Sequence, residues 1–210
     1  MIYVGVDEFN FVEQEEVSGK TEDFGSYATG SPYQAYLSAN VFMFSLMTLA
    51  NLSPDTSNYY NQNFEIVEFP NPPKYEGTFY PAESPQECDL SRVALYREIK
   101  TVFPDAEIIG YVPPRSTWSV INQTYNRNIM DCVLEGFYQV SQIYDGMYDF
   151  SVPSAMTLDP SNTYDGSHFT PQANVQVAAV LEGRSDGLAL QVDQFDLNTY
   201  KQTFKNKLKE

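Results

Sequence analysis

Residues Cys88–Pro114 read CDLSRVALYREIKTVFPDAEIIGYVPP, and two different periods are written into them. Leu90, Val93, Leu95, Ile99, Val102 and Phe103 recur at near-helical spacing, with Arg92, Arg97, Glu98 and Lys100 turned away. This spacing predicts an amphipathic helix, and Pro104 stops it. AEIIGYVPP is then a short apolar run rich in β-branched residues, which predicts a strand. Its Pro113-Pro114 end lacks ladder donors and opens into the loop RSTWSVINQ, which holds Arg115 and the sole tryptophan, Trp118.

The same alternation continues on both sides. The opening MIYVGVD reads as a buried strand, residues 13–30 as a glycine-containing loop, and YQAYLSANVFMFSLMTLAN (33–51) as a helix buried on more than one side. From about 52 to 86 prolines, asparagines and tyrosines replace any period, which marks an irregular insertion with one short strand at 64–69. A second helix over 126–143 leads to a strand at 147–152. A further helix follows, with Thr170 as N-cap, Pro171 in its first turn and Gly183 past its end. A peripheral helix over 194–208 closes the chain. Strands alternating with helices predict one α/β domain, residues 1–210, around a doubly wound parallel sheet. Such sheets gather functional groups at the C-terminal ends of their strands, here Asp7, the loop Pro113–Trp118 and a turn holding Asp165 and His168.

Composition narrows the function classes. The 210 residues are 42% apolar and 15% aromatic, enough for a sizeable core. Twelve basic against 28 acidic residues leave a net charge of −16, which repels phosphate backbones and anionic membranes. Nucleic acid is thereby disfavoured as a partner. Cys88 and Cys132 lie far apart with no C-x-x-C, so neither zinc nor a redox pair is indicated, and pairing or burial as thiols both remain open. No apolar run has membrane-spanning length, and the N-terminus lacks the pattern of a signal peptide.

His168, the only histidine, stands three residues after Asp165 in NTYDGSHFTP. An aspartate at that offset can fold back to accept the imidazole Nδ1 proton, which leaves the other ring nitrogen outward as a base of fixed tautomer. A D-x-x-H is weak by itself. Its place after the last strand and directly before a capped helix strengthens it, against the bland reading of a turn whose Asp and Ser bond the local backbone.

YDGSHFTPQANVQVAAVLEG, together with the preceding strand, helix and FPDAEIIGYVPP, resembles the C-terminal block of the SGNH (GDSL-type) hydrolase superfamily, closest to its acyltransferase-like, polysaccharide O-acetylation-related branch. The resemblance spans about residues 87–183. It implies a flavodoxin-like sheet, Asp165 and His168 as the triad acid and base, and ester hydrolysis or acyl transfer without metal or organic cofactor. The chain contains no Gly-Asp-Ser. IYVGVDEF aligns with the family's third strand, where Gly-x-Asn supplies an oxyanion-hole amide, and Asp7 replaces that asparagine. A carboxylate there repels a developing oxyanion unless protonated.

The chain is accordingly expected to begin at the family's third strand, N-terminally incomplete and inactive alone, with Ser26 and Ser167 as weak fallback nucleophiles. Asp7, Arg115 and Trp118 are the expected substrate contacts, and an acylated carbohydrate or other small ester is the expected ligand. The alternative is a non-catalytic carbohydrate-binding or assembly protein that kept the fold, its tyrosines and Trp118 suited to stacking on sugar rings. A bare sheet edge would call for a homodimer or a partner chain. The resemblance, not the residues, suggests an extracytoplasmic location.

Overall fold

A computed structural model describes residues 1–12, 46, 59–60, 66–67, 74–81 and 84–209 of the chain. The chain falls into two compact units, Met1–Glu13 with Asn71–Glu210, and Gln14–Pro70. In the second, β2 (Tyr59–Tyr60) pairs antiparallel with β3 (Ile66–Val67), which falls within the strand expected at 64–69. The loop expected at 13–30 and the helix at 33–51, apart from Leu46, lie outside the described residues.

The first unit carries a mixed four-stranded sheet in the order β1-β4-β5-β6. β1 (Ile2–Gly5), β4 (Ile108–Val112) and β5 (Gly146–Asp149) run parallel, with Ile2 opposite Ile108 and Val112 opposite Asp149. β6 (Leu190–Gln191) is antiparallel to β5, Leu190 facing Asp149. The sheet is therefore not wholly parallel, contrary to expectation. After the helix that ends at Leu181, the chain returns to the C-terminal end of β5 without a strand, so its two-residue pairing runs the other way.

Among the described residues five α-helices flank the sheet: α1 (Val93–Val102), α2 (Thr117–Val120), α3 (Met130–Ser141), α4 (Pro171–Leu181) and α5 (Leu197–Lys207). The strand pleat feeds two cores. Ile108, Val112 and Met147 pack with Val93 and Tyr96 of α1, Val133, Leu134 and Phe137 of α3, and Tyr200 and Phe204 of α5. Phe150 and Tyr148 pack with Phe169 and with Ala173, Val177 and Val180 of α4. No helix among the described residues is long and apolar enough to cross a membrane.

Four local expectations differ from the structure. β1 is an edge strand rather than a buried one, with Tyr3 42% exposed, because among the described strands only β4 pairs with it. Leu95, Val102 and Phe103 face solvent, and the buried stripe of α1 is the narrower i, i+3 pair Val93 and Tyr96. RSTWSVINQ is not a loop throughout. Ser116 caps α2 by accepting the Ser119 N–H at 3.2 Å, and a π-helical turn, Ile121–Tyr125, continues it. The last helix is integral rather than peripheral. Its Tyr200 is fully buried and donates to the Asp149 carboxylate at 2.6 Å, while Ser151 donates from N (2.9 Å) and Oγ (2.6 Å). Burial raises the Asp149 carboxyl above its ordinary value, against the pull of these donors.

The structure settles the cysteines as a Cys88–Cys132 disulfide, with Cα atoms 5.8 Å apart across a sequence separation of 44. It ties the segment before α1 to the start of α3. Closing a loop of this length restricts the unfolded chain by about 4 kcal/mol. Cys88→Ser is expected to lower unfolding stability by roughly 2–4 kcal/mol, read as a fall in the urea midpoint at unchanged slope.

Candidate functional site

The parallel strands end at one edge, and three segments leave it side by side. Val6 continues β1 and donates its N–H to Tyr111 at 2.8 Å before the chain turns into a 3-10 helix, Glu8–Phe11. Asp7 caps that helix, its Oδ1 accepting from the Phe9 N–H at 3.5 Å. At the end of β4 the two prolines halt the ladder, and Arg115 follows, only 8% exposed. Its guanidinium pairs with the buried Glu8 carboxylate and donates to Gln123 and, at 3.1 Å, to Ser119. Burial lowers the pKa of Arg115, and the nearby carboxylates of Asp7 and Asp165 oppose that shift. The charge of Asp7 thus has a cation beside it, and its carboxylate serves as a cap.

The third segment follows β5. Asn162–Thr170 folds into a tight loop, with Tyr164 N–H donating to the His168 carbonyl at 2.9 Å and Thr170 N–H to the Asn162 carbonyl at 2.8 Å. Thr163 Oγ1 accepts from the Gly166 N–H (2.9 Å) and donates to the His168 carbonyl (3.0 Å). Gly166 has φ +94°, a conformation that side-chain-bearing residues rarely adopt, which is why Asp-Gly occupies the corner. Downstream, Thr170 caps α4 by accepting from the Ala173 N–H at 3.4 Å, Pro171 occupies the first turn, and Gly183 ends it with φ +69°.

In this loop His168 Nδ1 lies 2.6 Å from Asp165 Oδ2. The other carboxylate oxygen accepts the N–H groups of Ser167 and His168, each at 2.8 Å. Partial burial alone would raise the Asp165 carboxyl. The His168 amide and ring and the Ser167 amide outweigh it and hold the carboxyl below its ordinary value. An ionised Asp165 fixes the Nδ1–H tautomer, so Nε2 is the ring's proton acceptor.

Asp7, Glu8, Phe9, Arg115 and Ser167 line one small cleft of about 70 Å³ together with the end of β4. The structure therefore brings together Asp7, Arg115 and the Asp165–His168 turn, as the strand-end argument anticipates. Trp118 stands elsewhere. Its ring packs against Gly77, where a β-carbon would lie 2.3 Å from the indole, and it does not line the cleft. Pro113 and Pro114 also border a larger groove of about 460 Å³, between Tyr3, Tyr111 and the Val177–Leu181 side of α4. Among the described residues no serine, threonine or cysteine side chain hydrogen-bonds to the His168 ring, and no group of three or more His, Cys, Asp or Glu side chains is placed to hold a metal ion. Ser26 lies outside the described residues.

Sequence reasoning missed Glu8 and Gln123 as partners of Arg115, and Ser116, whose N–H donates to the Gly166 carbonyl at 2.8 Å. Glu8 beside Asp7 at a strand end was the one available signal. No family model, curated protein or solved structure matches this chain.

Two outcomes are expected. Glu8→Ala strands a buried guanidinium and costs about 3–5 kcal/mol in urea unfolding, whereas removing both charges in Glu8→Ala with Arg115→Met costs less than Glu8→Ala alone. The lowered Asp165 pKa stabilises the fold above the ordinary aspartate range, and this contribution is lost as pH falls through the lowered value. Protection of the Ser167 and His168 amides from hydrogen exchange is expected to persist at pH 5 and to fall in Asp165→Ala at the same pH.

Proposed function

We propose that the Asp165–His168 turn is the orienter and base of an SGNH-type ester site, built on a doubly wound, flavodoxin-like sheet, with the nucleophilic serine supplied from outside these 210 residues. The carrying observation is the 2.6 Å contact between His168 Nδ1 and Asp165 Oδ2 in a turn at the strand ends, immediately before α4. The chemistry follows from the tautomer. His168 Nε2 takes the proton from the serine hydroxyl as its oxygen attacks the ester carbonyl, and Asp165 offsets the imidazolium charge. The imidazolium then returns that proton to the departing alkoxide, which leaves an acyl-serine for water or an acceptor hydroxyl. Arg115 stands at the cleft wall, where it holds the charges of Asp7 and Glu8 and leaves the cleft short of net positive charge. That balance suits a neutral ester, such as an acylated carbohydrate, better than an anion.

The exposed edge of β1 and the groove beside Tyr3 and Tyr111 support an origin of the serine elsewhere, on a partner chain or further polypeptide. The disulfide supports an oxidising, extracytoplasmic setting. The second reading, a binding protein without a nucleophile, draws on the lack of a hydroxyl on His168 among the described residues and on the exposed rings of Phe79, Tyr80 and Tyr125.

A fluorophosphonate probe is expected to label no serine of the purified chain in a His168-dependent way. A labelled serine that disappears in His168→Ala would place the nucleophile inside the chain. The coding sequence upstream of Met1 separates the two readings: an in-frame Gly-Asp-Ser block favours the esterase and a stop codon the binding protein.

A further inference from the structure

We propose that Tyr75 is a positioning residue of the Asp165–His168 pair and that Lys74–Pro81 is the strap that carries it, a role that rests on reading the pair as base and orienter. The pair lies on the surface, its His168 and Asp165 side chains 57% and 48% exposed. An ion pair so exposed contributes little by itself and does not fix its own geometry. The Asp165 carboxylate instead takes its direction from the backbone of its own turn, through the Ser167 and His168 amides, so whatever fixes Gly166 fixes the pair.

What meets Gly166 from below is Tyr75. A β-carbon on Gly166 would lie 2.8 Å from the Tyr75 hydroxyl and 3.0 Å from Ser116 Oγ, so phenol and serine press directly on the corner. The two hydroxyls are hydrogen-bonded at 2.9 Å, and the Ser116 N–H holds the Gly166 carbonyl at 2.8 Å. Phenol, serine and glycine peptide thus form one contact.

The strap has no regular secondary structure, yet its register is set at three points. Asn122 accepts the Tyr80 N–H at 2.9 Å and donates to the Thr78 carbonyl at 2.8 Å, imitating a strand partner. Asn126 donates to the Tyr80 carbonyl at 2.9 Å. Gly77 lies so close to the Trp118 ring that no side chain fits there. α2, the π-helical turn and Asn126 directly after it supply the three anchors, and the same α2 is capped by Ser116. A strap anchored in this register delivers the phenol to Ser116 and no other position, and this gives Trp118 and the π-turn a purpose that the cleft does not.

Because His168 is the only histidine, ¹⁵N-histidine labelling reports the pair without assignment. Tyr75→Phe keeps the ring and removes the hydroxyl. It is expected to leave the urea midpoint close to wild type while the Nδ1–H exchanges with solvent about fivefold faster, the effect of losing one hydrogen bond behind the turn. Gly77→Ala, which dislodges the strap at a distance from the turn, is expected to speed the exchange likewise, with a lowered urea midpoint. Asp165→Asn serves as reference and abolishes the Nδ1–H signature. If both strap variants leave the ring ¹⁵N shifts and the exchange rate at wild-type values while Asp165→Asn changes them, the positioning role is overturned and the pair stands. If Asp165→Asn changes neither, the pair and the role built on it both fall.

Discussion

The buried pairing of Arg115 with Glu8 joins the exits of two neighbouring strands, and most of the site is arranged around it. A guanidinium at this depth is costly unless its donors are met. Glu8 pairs with its Nη1, and Ser119 and Gln123 accept from its Nη2, while Nε has no hydrogen-bond partner among the described residues; meeting the two terminal nitrogens fixes how the chain must leave both β1 and β4. Once Arg115 is set, Ser116 is placed to cap α2 with its hydroxyl and to hold the Gly166 carbonyl with its amide. Two strand ends and the turn beyond the third are thereby locked to one another through four consecutive residues, Pro113–Ser116.

This arrangement places the solvent-exposed Asp165–His168 pair on a hydrogen-bonded underlay. Asp165 and His168 face water, and the turn that carries them is held from beneath through Thr163, Gly166 and Ser116. Functional groups on loops gain precision only when the supporting residues are themselves held. Here the support extends from a disulfide and two cores at the sheet to a strap whose anchors, Trp118, Asn122 and Asn126, lie on and beside a π-helical turn. Such turns interrupt regular helices at some energetic cost and recur near functional sites.

Much of this was legible in the residues. The period change between Leu90–Phe103 and Ala106–Val112 gives helix and strand, because burial of one helix face and of a central strand leaves different apolar spacings. Thr170-Pro171 and Gly183 mark α4 through local backbone chemistry, and the Asp165–His168 contact follows from a three-residue offset. The readings that failed depend on neighbours. Leu95 and Val102 have the hydrophobicity of core residues, but among the described residues nothing packs over that side of α1 to bury them. Tyr200 and Phe204 sit in a helix of polar character and are nonetheless fully enclosed, since Asp149 awaits a donor there. Trp118 has the chemistry of a ligand platform, but Gly77 offers it a closer surface.

The sequence by itself determined the alternation of strands and helices, the helix caps, the strand end at Pro113-Pro114 and the aspartate–histidine offset, because each rests on interactions within a few residues of the chain. Only the tertiary structure decided that β6 runs against its neighbour, that Cys88 and Cys132 are bonded, that Glu8 answers Arg115, and that Tyr75 supports Gly166. These partners lie from 41 to 107 residues apart, too far for any local pattern, and burial of their polar groups is satisfied only when the whole unit closes around them.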